Sequence, residues 1–231
     1  MAAAVLDRLT LTGNETVLDA GCGTGRVTEL LVERLPRGRV VAVDADPKMV
    51  QMARENLRNR AEVRQSNLLE LQSNEKFDAI FSTATFHWIL DHERLFERLF
   101  AALLPGGRLV AQCGGQGNIA EIRAAGDAVG REALFAGYFD GWNAPWQYAG
   151  PEESVERLKA AGFDEVRAWL EPWPVVPDDP FGYLTTIVLG AQVQMLPEPL
   201  RTVYINAVME RLSVPVTVGY VRLNLEARRP S

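Results

Sequence analysis

The chain has 231 residues, 47% hydrophobic and 23% charged, which is ordinary for a folded globular protein and excludes a disordered, collagen-like or coiled-coil chain. Its 24 Lys and Arg against 30 Asp and Glu leave a net charge of -6, so no overall field draws it to nucleic acid or an anionic membrane. Two cysteines, Cys22 and Cys113, and two histidines, His87 and His92, exclude a disulfide framework and point to no metal site.

The first half alternates short apolar runs with helical patterns, the signature of a parallel sheet flanked by helices. Strands are expected at Thr16–Ala20, Arg39–Val43, Ala61–Gln65, Phe77–Ser82 and Arg108–Gln112. Between them, Arg26–Leu35 carries Val27, Leu30, Leu31 and Leu35 on one helical face. Asp46-Pro47 opens a second helix to Leu57, with Asp as cap and Pro in the first turn. Asp91 caps a third, whose Leu95, Phe96, Leu99, Phe100 and Leu103 form an apolar stripe that Pro105-Gly106-Gly107 ends.

The second half is less regular. A glycine-rich break at Gly114–Asn118 precedes a helical stretch, Ile119–Phe135, and an aromatic segment, Tyr138–Tyr148. A helix at Pro151–Ala161 and a strand at Asp164–Leu170 follow. Pro172–Pro180 holds four prolines and is expected to form no regular element. Helices at about Phe181–Met195 and Glu198–Leu212 lead to a last strand, where Val221, Leu223, Leu225 and Ala227 alternate with Arg222, Asn224 and Glu226. The expected organisation is one domain: residues 1–113 bind a cofactor, and segments 114–149 and 172–212 form a small helical cap on the sheet without a core of its own.

The strongest signal is Asp19-Ala20-Gly21-Cys22-Gly23-Thr24-Gly25, between the first strand and its helix. Glycines there let a ligand approach the backbone, and the helix start offers free N–H groups. The spacing is G-x-G-x-G, unlike the G-x-G-x-x-G dinucleotide fingerprint. Asp19, just before the first glycine, suits an ammonium better than a pyrophosphate. Asp44 ends the second strand and can accept from ribose hydroxyls; Asn67, after the third, can read an adenine amino group.

These residues resemble the class I S-adenosylmethionine-dependent methyltransferases over roughly Thr16–Gln112. The resemblance implies a Rossmann-like seven-stranded, mostly parallel sheet with an antiparallel last strand and helices on both faces. It implies S-adenosylmethionine as cofactor, held by Asp19, Gly21, Cys22, Gly23, Gly25, Asp44, Ala45, Met49, Asn67, Leu68, Ser82 and Thr83. The segment Ser82-Thr83-Ala84-Thr85-Phe86-His87-Trp88-Ile89 is similar to its counterpart in the trans-aconitate and malonyl-acyl-carrier-protein methyltransferases, which methylate carboxylates. Those enzymes commonly place Gln where this chain has His87.

The expected function is therefore methyl transfer to a small-molecule acceptor, most readily a carboxylate or hydroxyl oxygen. His87 is the candidate catalytic base for a hydroxyl, or else it packs or hydrogen-bonds the substrate. Trp88 either walls the acceptor pocket or packs in the core. Trp142, Trp146, Tyr148 and Tyr204 line an acceptor pocket or pack the cap, and Arg123 holds a substrate carboxylate or a surface ion pair. Cys22 and Cys113 read as packing residues, and His92 as a solvated one. About 15 residues precede Thr16, room for a helix at Ala2–Leu9 where the family usually has a closing segment. That leaves a silent cofactor-binding protein or a methyltransferase with an incomplete lid as the alternative, ahead of an NAD-dependent oxidoreductase. No apolar run reaches the ~18 residues of a membrane span, and no secretory signal pattern opens the chain. A cytoplasmic monomer or homodimer, without nucleic acid or membrane partners, is expected.

Overall fold

The computed structural model describes residues 2–72 and 75–231. Seven strands form one sheet: β1 (Thr16–Ala20), β2 (Arg39–Asp44), β3 (Glu62–Gln65), β4 (Phe77–Thr83), β5 (Leu103–Gly114), β6 (Asp164–Val175) and β7 (Val218–Arg228), in the order β3-β2-β1-β4-β5-β7-β6. β1 to β5 pair in parallel, and β7 runs antiparallel to both β5 and β6. Val40 to Val43 are all buried, because helices cover both faces of the parallel part. The strand order reverses between β1 and β4, and open sheets bind ligands at the carboxyl ends beside such a switch.

Helices α1 (Ala2–Leu6) and α2 (Arg26–Arg34) cover one face, where Leu6, Leu9 and Leu31 meet Val40, Phe81 and Val110. Helix α3 (Pro47–Leu57) starts at Asp46, whose side chain accepts the Lys48 N–H at 2.7 Å. Helix α4 (His92–Ala102) starts at Asp91, which accepts the Arg94 N–H at 3.0 Å. The stripe of α4 packs with Leu158 and Phe163 against Leu18, Ile80 and Leu109 on the second face. Leu158 belongs to a helix, Pro151–Ala160, that follows the first cap segment.

The cap comprises α5 (Ala120–Gly130), the aromatic strap of residues 131–149, and helices after β6. With the helix at Pro151–Ala160 numbered α6, these are α7 (Pro180–Tyr183), α8 (Gly190–Met195) and α9 (Glu198–Met209), a π-helical turn at Leu184–Val188 joining α7 to α8. The cap has an apolar cluster of its own, including Ile122, Val129, Phe135, Leu184, Val193, Ile205 and Val208, contrary to expectation. The aliphatic residues of separate helices, with Phe135 and Tyr204, pool into a core that none shows alone. Val218 of β7 joins this cluster, so the strand ties cap to sheet.

Three further expectations are corrected. β6 continues through Pro172 and Pro174 to Val175. Two positions apart, both prolines turn their nitrogen to the same flank, and an edge strand has one flank with no ladder to break. Helix α4 ends at Ala102, ahead of Pro105-Gly106-Gly107, which instead lie within β5. The stretches 119–135 and 181–195 are interrupted helices, α5 ending at Gly130 and the π turn separating α7 from α8.

Candidate active site

The glycine loop leaves β1 in a conformation that side chains rarely adopt: φ is 86° at Gly21 and 53° at Gly23. A Cβ on Gly21 would lie 2.2 Å from the Thr85 side chain, so the loop packs directly on the exit from β4. A Cβ on Gly23 would meet nothing within 4 Å; the space in front of it belongs to the cavity. The N–H groups of Gly21 and Cys22 both donate to Val43 O at 2.9 Å. The Asp44 carboxylate accepts the Gly23 N–H on one oxygen and the Asp46 N–H on the other, each at 2.9 Å.

Asp19 is only 2% exposed and accepts the Thr28 hydroxyl at 2.6 Å. Burial pushes its carboxyl up to about 6, the Thr28 hydrogen bond opposing and the nearby Asp44 charge reinforcing the shift. Among the described residues no cation pairs with it. The arrangement suits a ligand that brings its own positive charge. Burial raises the Cys22 thiol to about 12, consistent with packing and not with a nucleophile.

A cavity of about 1060 Å³ opens at these strand ends. Asp19, Gly21, Cys22 and Gly23 form its floor. Asp44, Ala45 and Met49 form one wall, and Asn67, Leu68 and Thr83 another. Two expected cofactor residues lie behind the wall. Gly25 begins α2 and packs near Leu57, while Ser82 is buried and donates to Ala20 O at 2.7 Å. The Asn67 side-chain oxygen Oδ1 accepts the Leu69 N–H at 3.0 Å, so it caps the turn that follows β3. Thr85, Ile89 and Asp91 also line the cavity; nothing in their spacing marks them in the sequence.

Trp88 reaches the cavity and is 53% exposed, so it is no core residue. His87, beside it, points the other way. It is buried, its Nδ1 accepts the Gly114 N–H at 3.3 Å, and its carbonyl accepts the Gln147 N–H at 2.8 Å. Burial lowers its pKa to about 4, with the Arg222 charge a further cause. Tyr148 stacks on its ring at 5.8 Å, and Trp146 meets Trp88 edge-on at 6.0 Å. Arg123 lies over Tyr148 at 5.5 Å and Arg222 over Tyr220 at 4.4 Å; neither guanidinium has an ion-pair partner among the described residues. Arg222 went unnoticed in the sequence because strand alternation marks it only as wet. Trp142 and Tyr204 line a separate cavity in the cap, and Trp142 also packs edge-on against Trp146 at 5.9 Å. His92 is 4% exposed, not solvated, because its Nε2 hydrogen-bonds Phe86 O at 3.0 Å as α4 packs under the 86–88 turn.

Residues 17–107 match the methyltransferase domain family. The chain is 31% identical to a trans-aconitate 2-methyltransferase of Paracidovorax citrulli, over 89% of this chain and 80% of that protein. The enzyme of the same name from Variovorax paradoxus is 40% identical, but over 48% of this chain and 43% of its own length, so the chain spans less than half of that relative. In fold the chain resembles phosphoethanolamine N-methyltransferase 2 of Haemonchus contortus, solved with S-adenosylhomocysteine. The TM-score is 0.63 at 18% identity, covering 100% of this chain and 52% of that one. The cavity fits such a group, with open space before Gly23 and a buried, unpaired Asp19 on its floor. The chain belongs to the class I S-adenosylmethionine-dependent methyltransferases, in the group of the trans-aconitate 2-methyltransferases, and its cofactor is S-adenosylmethionine.

Proposed function

We propose that the enzyme methylates a carboxylate oxygen of a small-molecule acceptor. The observation that carries this reading is the engagement of His87: its acceptor nitrogen is held by the Gly114 N–H and its pKa is lowered to about 4. A hydroxyl acceptor profits from a general base, worth ~100- to 10,000-fold. A carboxylate is already ionised and needs none. The unpaired Arg123 and Arg222, beside Tyr148 and His87, supply positive charge for an anionic acceptor. The trans-aconitate 2-methyltransferases among its relatives support the same acceptor class.

Bound S-adenosylmethionine supplies a methyl group on an already activated sulfonium. The protein's part is to orient and exclude water, which contributes up to about 7–11 kcal/mol in well-aligned model systems. In this reading Asp19 and Gly21 face the methionine part, Asp44 the ribose, and Met49 and Leu68 the adenine. Trp88 closes the acceptor side, and neutral His87 keeps it in place through its ring and backbone bonds. The test is incubation with methyl-labelled cofactor and small carboxylic acids, trans-aconitate among them. A labelled product that mild alkali hydrolyses is a methyl ester; a base-stable product would overturn the reading.

A further inference from the structure

A cavity of about 430 Å³ lies inside the cap and shares no lining residue with the cofactor cavity. Its floor is α5, where Gly126 and Gly130 stand about one turn apart and let Tyr204 and Phe139 pack directly on the helix backbone. Tyr204 donates its hydroxyl to Gly126 O at 3.1 Å, so the polar end of this ring is spent and its face remains as wall. Phe139 and Trp142, edge to face at 6.0 Å, close the sides.

Asp127 and Arg131 line the cavity from its exposed rim, and Gln192 is the buried polar residue of the lining. It is 3% exposed, it faces the cavity from α8, and its Oε1 has no hydrogen-bond partner. Buried side-chain acceptors are rarely left unpaired, because they have given up water without replacement. The segment that leads into α8 is the π-helical turn at Leu184–Val188, a local distortion found disproportionately at functional sites. Cap packing alone calls for neither a buried amide nor a π turn.

We propose that the cap cavity is a second ligand site, for a planar apolar small molecule carrying one N–H or O–H donor directed at Gln192 Oε1. Rings and glycine carbons make the inner walls, with the exposed Asp127 and Arg131 at the rim, so the body of the ligand is apolar. Gln192 Oε1 is the buried unpaired acceptor among the lining residues, so the ligand carries one donor. The volume lies within the usual range for small-molecule pockets. The site is independent of the methyl acceptor's chemistry, and a failure of either reading leaves the other standing.

The test uses indole as probe on the full chain saturated with S-adenosylhomocysteine, which blocks the cofactor cavity. Calorimetric titration should show one saturable site, with the Trp142 indole resonance shifting in step. Benzofuran has nearly the same shape but no donor, and should bind at least about fivefold more weakly. In Gln192→Leu the two probes should bind alike. Absence of saturable indole binding, equal affinity of the two probes for the unmodified protein, or loss of indole binding once S-adenosylhomocysteine is present would each overturn the proposal. The comparison of probes on the unmodified protein stands even if the variant does not fold.

Discussion

The carboxylate of Asp44 accepts the backbone N–H of Gly23 at 2.9 Å, so the tip of β2 holds the middle of the glycine loop that leaves β1. One residue thus shapes the loop and faces the cavity that the loop encloses. Replacing Asp44 by Ala should cost on both counts. Hydrogen bonds to a charged group contribute about 1.5–3 kcal/mol. The expected result is a 10- to 100-fold loss of S-adenosylhomocysteine affinity with a lowered melting temperature. Unchanged affinity in calorimetry would mean that the ligand does not touch this carboxylate.

Gly23 and Gly21 should fail differently. Gly23→Ala meets no protein atom within 4 Å, and pays about 1–2 kcal/mol for a left-handed alanine. It should fold and yet bind cofactor poorly, since its methyl group occupies ligand space. Gly21→Ala collides with Thr85 at 2.2 Å and should destabilise the fold outright. The double variant Gly21→Ala with Thr85→Gly should recover part of that stability. Thermal unfolding with and without S-adenosylhomocysteine separates the two cases; identical behaviour of the single variants would contradict the geometry.

Asp19 links stability to cofactor charge. Its carboxyl holds a proton up to about pH 6 in the folded chain, against 3.8 when unfolded. Its contribution to stability is therefore full below pH 3.8 and lost as pH rises through 6, a difference of about 3 kcal/mol. Asp19→Asn should stabilise the free protein at pH 7 and weaken its binding of S-adenosylhomocysteine, whose ammonium the aspartate would pair. In the unmodified protein that affinity should climb between pH 5 and 7. A pH-independent affinity would place the ammonium elsewhere.

His87 works in the opposite sense. The unfolded chain protonates this imidazole near pH 6.5 and the folded one near 4. Stability from this residue is full above pH 6.5 and falls by about 3 kcal/mol as the pH drops to 4. The two residues partly cancel between pH 4 and 6, so Asp19→Asn should unmask a steeper acid loss. Turnover should show no inflection near pH 6.5. His87→Ala should reduce it about tenfold by a factor independent of pH; a loss that deepens as the pH rises and fades toward acid would restore the histidine as a base.

The cofactor half is legible in the sequence because local signals agree there. Asp46-Pro47 and Asp91 cap the helices they announce, and the runs at Val17–Ala20 and Val40–Val43 are buried as their composition requires. The cap is less legible because its core is assembled from pieces remote in sequence: Ile122 meets Leu184 and Val208 only after folding. Pro172 and Pro174 mislead, since a proline rule for interior strands does not govern an edge. Burial of His92 is invisible beforehand, as its partner is a backbone carbonyl. The division of the aromatic set, Trp146 and Tyr148 by His87, Tyr204 at a second cavity and Trp142 bridging the two, depends on the path of the strap.

β7 begins at Val218 inside the cap cluster and ends with Leu223, Leu225 and Ala227 in the main core, between β5 and β6. The cap is therefore not a flap on a hinge. To swing it away, the chain would have to strip an interior strand from both neighbours. Access to the cofactor must come from smaller movements around Trp88 and the strap, while cap and sheet melt as one cooperative unit.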